Sequence, residues 1–247
     1  MNDSTSAISP VWPTRWPKNS FTGFWTWLLA AFVTLLFVLA FIGGIKTSRA
    51  PAVSVREFDA LIAVQFVLEG VLLAIVLVAL PALSKFSLRE LGFRRPNASA
   101  LGTSLVGAVA MVIVANGGAS LIDSLAHSRH QQDIVEIFKG LHDPTTIALF
   151  AAFAVVFAPF AEETFFRVFF FNLGLRYGGF WGGAVLSGVL FGIAHGDIYA
   201  ALPLALGGIV LCAVYYRTRN AFAPMISHAL FNGLSIVALL VAPGITR

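Results

Sequence analysis

Residues 145–171 read TTIALFAAFAVVFAPFAEETFFRVFFF. A membrane helix needs about 20 apolar residues to cross about 30 Å of hydrocarbon, and this stretch is long enough. Its only ionisable groups are Glu162, Glu163 and Arg167. A charge in hydrocarbon costs about 2.5–3.5 kcal/mol on insertion scales, so three in one span are a functional signal. Pro159 lacks an N–H and is expected to kink the span or break it in two.

The rest of the chain has the same character. Of 247 residues, 58% are hydrophobic, 11% are charged and 23 are Phe. An average soluble domain carries about 25% charged residues. Mean hydropathy is +0.85. Too few polar residues remain to cover a soluble globule, which excludes a soluble enzyme, a disordered chain and a nucleic-acid-binding domain. The single cysteine, Cys212, excludes a disulfide scaffold and reads as a packing residue.

Further spans are read at Phe24–Ile45, Ala60–Leu83, Ala100–Ile122, Phe180–His195, Tyr199–Tyr216 and Ala223–Val241. The expectation is an all-α, polytopic transmembrane bundle of seven spans, or eight if Pro159 divides the fourth. Phe24–Ile45 is longer than a signal-peptide core and no small-residue cleavage site follows it, so it reads as a retained anchor. Trp25 and Trp27 sit at its entry, where aromatic rings favour the interface. No repeat or linker interrupts residues 1–247, which read as one membrane domain.

With seven spans the basic residues fall nine against six. One side holds Arg15, Lys18, Lys85, Arg89, Arg94, Arg95, Arg176, Arg217 and Arg219. The other holds Lys46, Arg49, Arg56, Arg129, Lys139 and Arg247, with Asp123, Asp133, Glu136 and Asp143. The positive-inside rule places the N-terminus and the Lys85–Arg95 loop in the cytoplasm. Asn97-Ala-Ser99 has the form of a glycosylation acceptor but falls in that loop and is discounted. The loop 123–144 carries His127, His130 and His142 without a compact metal-ligand spacing, and Ile134–Leu141 could lie on the membrane surface.

The remaining intramembrane polar groups are Glu69, His195, and His228 with Asn232. Helical residues four apart share a face, which pairs Glu163 with Arg167, Phe191 with His195, and His228 with Asn232. Glu162 lies about 100° round the helix from Glu163 and needs a different partner. Glu162, His195, His228 and Asn232 thus come from three spans that one cavity can unite. Small residues at Gly182, Gly183, Ala184, Ser187, Gly188, Gly207 and Gly208 permit close helix approach. Glu69 stands outside this set, either lining the cavity or serving as a structural carboxyl.

In order, Glu162-Glu163-x-x-x-Arg167, Phe191-x-x-x-His195 and His228-x-x-x-Asn232 resemble the three motifs of the CPBP family. That family contains CAAX prenyl proteases and Abi-like bacterial relatives proposed to act in bacteriocin processing or self-immunity. The resemblance covers about residues 145–240, the expected catalytic half. It implies an intramembrane endopeptidase whose partners are a peptide or protein substrate at the membrane and the bilayer itself. Position by position, Glu162 resembles the glutamate that activates water, with His195 beside it. His228 and Asn232 resemble the residues that stabilise the oxyanion, and Glu163 and Arg167 resemble the supporting ion pair.

Peptide hydrolysis needs an activated water and a stabilised oxyanion. The chain has no H-E-x-x-H motif, no intramembrane G-x-S-x-G elbow and no Asp pair suited to an aspartyl mechanism. Zinc, if bound, would take Glu162, His195 and His228. Glu163, held by Arg167, would then leave no free base, so ligand count favours a metal-independent mechanism. A non-enzymatic immunity or scaffold protein and a small proton-coupled transporter are the competing readings. Glu162 lies nine residues from the expected end of its span and His195 fifteen from its entry. For them to meet, the fifth helix must tilt, or the run Arg176–Trp181 must dip into the membrane with a cavity reaching from the cytoplasm.

Overall fold

The computed structural model describes residues 15–46, 55–127, 135, 138 and 141–241, and every regular element among them is helical. Three helices come first: α1 (Phe24–Lys46), α2 (Val55–Ser84) and α3 (Ala98–Ala126). Asn97 is the N-cap of α3, its side chain accepting the Ala100 N–H at 2.9 Å. That is its role here, in place of a sugar acceptor. Asp143 opens the charged run in the same way, accepting the Thr146 N–H at 2.8 Å, and Pro144 fills the first turn, where its missing N–H costs nothing.

From Pro144 the chain stays helical through α4 (Pro144–Ala152), a π segment (Phe153–Phe157), α5 (Ala158–Glu163) and a second π segment (Thr164–Phe171). It continues into α6 (Asn172–Ala194), then α7 (Ile198–Thr218) and α8 (Phe222–Val241). Pro159 therefore does not break the span. An α-helix would require its N–H to bond the Val155 carbonyl. The helix instead widens one turn earlier, where the Ala158 N–H reaches back five residues to the Phe153 carbonyl.

The expected end of this span at Phe171 is also corrected. The helix runs on to Gly179, whose φ of 65° and ψ of −161° reverse the chain. An L side chain is disfavoured at that φ, which is why glycine stands there. The second half of α6 folds back on the second π segment, with Ser187 Oγ donating to the Phe166 carbonyl at 2.7 Å. Glu162 lies seventeen residues before this turn and His195 sixteen after it. The two therefore lie at similar distances along the helix from the turn. The turn itself is open, with Trp181 68% exposed.

Five helical runs are long and apolar enough to cross a membrane: Arg56–Ser84, Ala98–Ala126, Pro144–Ala194, Ile198–Thr218 and Phe222–Val241. Phe24–Leu39 adds a shorter apolar helix. That makes five to six apolar helical runs among the described residues, with Pro144–Ala194 counted as one although it reverses at Gly179, so the expected seven or eight spans are not confirmed by this number. The helix ends gather on two faces. The Phe21 N–H bonds the Leu83 carbonyl at 3.0 Å, Tyr177 Oη donates to the Phe21 carbonyl at 3.1 Å, and the Ala221 N–H bonds the Gly92 carbonyl at 2.8 Å. One face thus holds the start of α1, the end of α2, the Gly179 turn and the start of α8. On the other, Thr146 Oγ1 donates to Asp59 at 2.9 Å and Phe58 lies 5.8 Å from Phe150.

The core between the faces is aromatic: Phe165, Phe166, Phe169, Phe170 and Phe171 are all buried with Phe191 and Tyr215. A polar chain crosses it. Trp16 Nε1 donates to Asn172 Oδ1 at 2.8 Å, Asn172 Nδ2 donates to Tyr215 Oη at 2.9 Å, and Tyr215 Oη donates to the Leu91 carbonyl at 2.7 Å. Each buried polar group here finds a partner, which offsets its desolvation cost. Cys212 is buried and free. His127 and His142 are exposed, while His130 and most of Ile134–Leu141 lie outside the described residues.

Helix α6 meets α7 backbone to backbone. A Cβ on Gly188 would stand 2.7 Å from the Ala205 carbonyl oxygen, and one on Gly208 would stand 2.9 Å from Gly188 Cα. Such overpacking costs about 1–3 kcal/mol. Gly188→Ala is therefore expected to lower the midpoint of thermal unfolding in detergent. An unchanged midpoint would mean that the helices separate freely, and α6 would not be fixed by this contact.

Candidate active site

Glu163 is the hub of the site. It is fully buried, as is Arg167 one turn on, and Arg167 Nε lies 3.0 Å from Glu163 Oε2. The other carboxylate oxygen, Oε1, lies 2.9 Å from His228 Nδ1. One glutamate thus joins the charged helix to α8. The sequence pairing assigned Glu163 to Arg167 alone, since helical spacing carries no information about a residue 65 positions away.

The contact with Glu163 sets the His228 tautomer: Nδ1–H donates to the carboxylate, and Nε2 is left facing Glu162, 3.9 Å from its Oε2. That oxygen of Glu162 is buried and makes no hydrogen bond. The gap is too long for a direct hydrogen bond and is the kind of separation that a water bridges.

His195 closes α6. Its Nδ1–H donates to the Phe191 carbonyl at 2.8 Å, which leaves Nε2 as the acceptor in the cavity. Phe191 is the plate on which the site is built. Its ring lies 4.8 Å from His195, 5.6 Å from His228 and 4.4 Å from the Arg167 guanidinium. A cation over an aromatic face is attracted by the ring quadrupole, which supplies Arg167 with a second partner besides Glu163. Arg167 Nη2 also lies 3.4 Å from the Gly208 carbonyl, reachable because α7 has no side chain there.

Asn232 Nδ2 donates to the Ala154 carbonyl at 2.7 Å. Ala154 belongs to the first π segment, so the widening ahead of Pro159 lies directly beside the polar end of α8. Sequence reasoning missed Ala154, Trp16, Asn172 and Tyr215. A proline four residues after an intramembrane carbonyl was the one available signal for the π segment.

Glu162, His195, His228 and Asn232 all line one cavity of about 500 Å³. Phe150, Phe153, Pro203, Phe231 and Ile236 make its walls apolar. No residue of the Lys85–Arg95 loop lines it. It rises from Glu162 and His228 to Asp123 at the end of α3, Asp197 before α7 and Leu239 near the end of α8. Those are helix ends of the opposite face. Glu69 does not line it, and its Oε1 accepts from Gln65 at 2.6 Å.

Among the described residues, no group of three or more His, Cys, Asp or Glu is placed to hold a metal ion.

Comparison with known proteins agrees with the motif reading. Residues 144–234 match the family described as type II CAAX prenyl endopeptidase Rce1-like. The chain is similar to "Putative membrane peptidase YdiL" of Bacillus subtilis (strain 168), 23% identical over 176 residues, 68% of each chain. It is also similar to "Membrane-embedded CAAX protease MroQ" of Staphylococcus aureus (strain USA300), 29% identical over 104 residues, 39% of this chain and 42% of that one. No solved structure matches.

Proposed function

We propose that this chain, whose residues 144–234 match the type II CAAX prenyl endopeptidase Rce1-like family, is an integral membrane endopeptidase that hydrolyses a peptide bond of a membrane-associated substrate through Glu162. The observation that carries the reading is the buried, unbonded Oε2 of Glu162, 3.9 Å from His228 Nε2, both lining the cavity. A water held between them is close enough to Glu162 to lose its proton as it attacks the scissile carbonyl. His195 Nε2, an acceptor in the same cavity, orients that water.

Charge then develops on the carbonyl oxygen. The second N–H of Asn232, not used by Ala154, is the donor for it, and His228 adds an Nε2–H only as an imidazolium that has taken a proton from solvent beforehand, with Glu163 at Nδ1 as its counter-ion. Glu163 holds the His228 ring through Nδ1 as an orienting carboxylate does in other hydrolases. Collapse of the intermediate returns the proton from Glu162 to the leaving amine. An apolar-walled cavity excludes bulk water and accepts a lipid-embedded or prenylated segment equally. The N-terminus is assigned to the cytoplasm by the positive-inside rule.

The test is hydrolysis of a fluorogenic membrane peptide by purified protein in detergent or liposomes, with Glu162→Gln as the comparison. Cleavage that is absent from wild type, or equal in the two proteins, overturns the reading. A scaffold or immunity protein would give no cleavage at all.

Asn232→Ala is expected to lower turnover by about 10²–10³, the effect of one lost oxyanion donor. Asn232→Asp should be worse, since it sets a negative charge beside the Ala154 carbonyl and the developing oxyanion. A metal ligand would respond in the opposite order, because a carboxylate binds zinc better than an amide does. Steady-state rates of the two variants decide between these orders.

A further inference from the structure

Phe153 lines the catalytic cavity and also a second, separate space. This is a groove of about 1340 Å³ between α2, the helical run from Leu149 to Phe160 and the start of α8. Ile62, Phe66, Val156, Phe157, Met225 and Ile226 give it apolar walls. From Leu149 to Phe160 it follows about 16 Å of helix, roughly half of a hydrocarbon core about 30 Å thick.

The two ends of the groove differ in charge. At one stands Asp59, which accepts from Thr146 Oγ1. At the other stand Arg95, Pro96 and Phe222. Arg95 is exposed, and among the described residues no hydrogen bond or ion pair engages its guanidinium. Arg94 Nη2 donates to the Arg219 carbonyl at 3.2 Å, Asn220 Nδ2 to the Arg94 carbonyl at 2.7 Å, and the Phe222 N–H to Asn220 Oδ1 at 2.9 Å. These bonds tie two loops together and gather Arg94, Arg95 and Arg219 beside Phe222, where the groove ends.

We propose that the groove binds one anionic phospholipid, its phosphate at the Arg94, Arg95 and Arg219 end and an acyl chain along the apolar wall from Phe160 toward Leu149. Basic pockets between membrane helices hold anionic headgroups in this way. Asp59 repels such a headgroup from the other end, so charge sets the direction in which the lipid lies. The ligand is distinct from the peptide substrate, and the site stands without the proteolytic reading. A bound chain packs on the π segment whose Ala154 carbonyl holds Asn232, and so braces one wall of the cavity.

The test is binding of a fluorescent phosphatidylglycerol to the purified, delipidated protein in detergent, with phosphatidylcholine of the same chains as the comparison. The expected result is saturable binding that is tighter for phosphatidylglycerol. Arg95→Gln should weaken it by about fivefold, the share of one arginine beside an anionic headgroup. Arg89→Gln makes the same charge change at an exposed residue outside the groove and should leave binding unchanged. Ala63→Trp fills the groove from an exposed position of α2 and should weaken binding of the chain. Equal affinity for the two lipids, or equal losses in Arg89→Gln and Arg95→Gln, overturns the headgroup site. Unaltered binding in Ala63→Trp overturns the groove. Excess glycerol phosphate should not displace the lipid, and displacement would reduce the site to one for free phosphate. No arm reads peptidase activity, so failure of this site and failure of the Glu162 assignment give different results.

Discussion

Glu162→Gln is expected to lower turnover by about 10²–10⁴ while leaving expression and thermal unfolding unchanged. The amide keeps the shape of the side chain and cannot accept the proton of an attacking water. Stability should hold because Oε2 of Glu162 makes no hydrogen bond to lose, and its nearest ionic neighbour, His228 Nε2, is 3.9 Å away. His228 remains held from its other side by Glu163 at 2.9 Å. A rate within about threefold of wild type would remove Glu162 from the mechanism, since a general base contributes far more than that. Lost stability with lost rate would make it a structural carboxyl instead.

Glu163→Ala is expected to have the opposite profile, a loss of both stability and rate. Removing one partner of a buried ion pair costs about 3–5 kcal/mol, because the remaining charge is left uncompensated in a dry interior. Here Arg167 would keep only the Phe191 ring and a 3.4 Å contact with the Gly208 carbonyl. The same substitution frees His228 Nδ1, so the ring loses its tautomer and its aim. Arg167→Leu separates the two effects: it strands Glu163 but leaves the His228 contact in place. The double variant Glu163→Gln with Arg167→Leu removes both charges and keeps an acceptor for His228. It should unfold at a higher temperature than either single variant. If the two single effects simply add in thermal unfolding, the pair is not coupled and the hub role of Glu163 fails.

Composition and periodicity alone determined that the chain is helical and lives in a membrane. With 58% hydrophobic and 11% charged residues, no other solvent could accept its surface. Helical spacing also determined the local pairs, since Glu163 and Arg167, or Phe191 and His195, are neighbours on any helix. The order of the three polar motifs sufficed to identify the family resemblance. These are properties of near neighbours in sequence, which a helix converts into neighbours in space by a fixed rule.

What the tertiary structure decided lies beyond that rule. Glu163 chooses His228 as its second partner across 65 residues, and Asn232 chooses the Ala154 carbonyl across 78. The depth at which Glu162 and His195 meet depends on a turn at Gly179 that apolar patterning alone did not separate from a span boundary at Phe171. Pro159 reads in sequence as a kink or a break, and in the fold the chain stays helical through it with a π segment just ahead. The cavity that Glu162, His195, His228 and Asn232 share was likewise decided by packing. Helix patterning fixes which residues share a stripe, but only the way the stripes close against one another leaves a space between them.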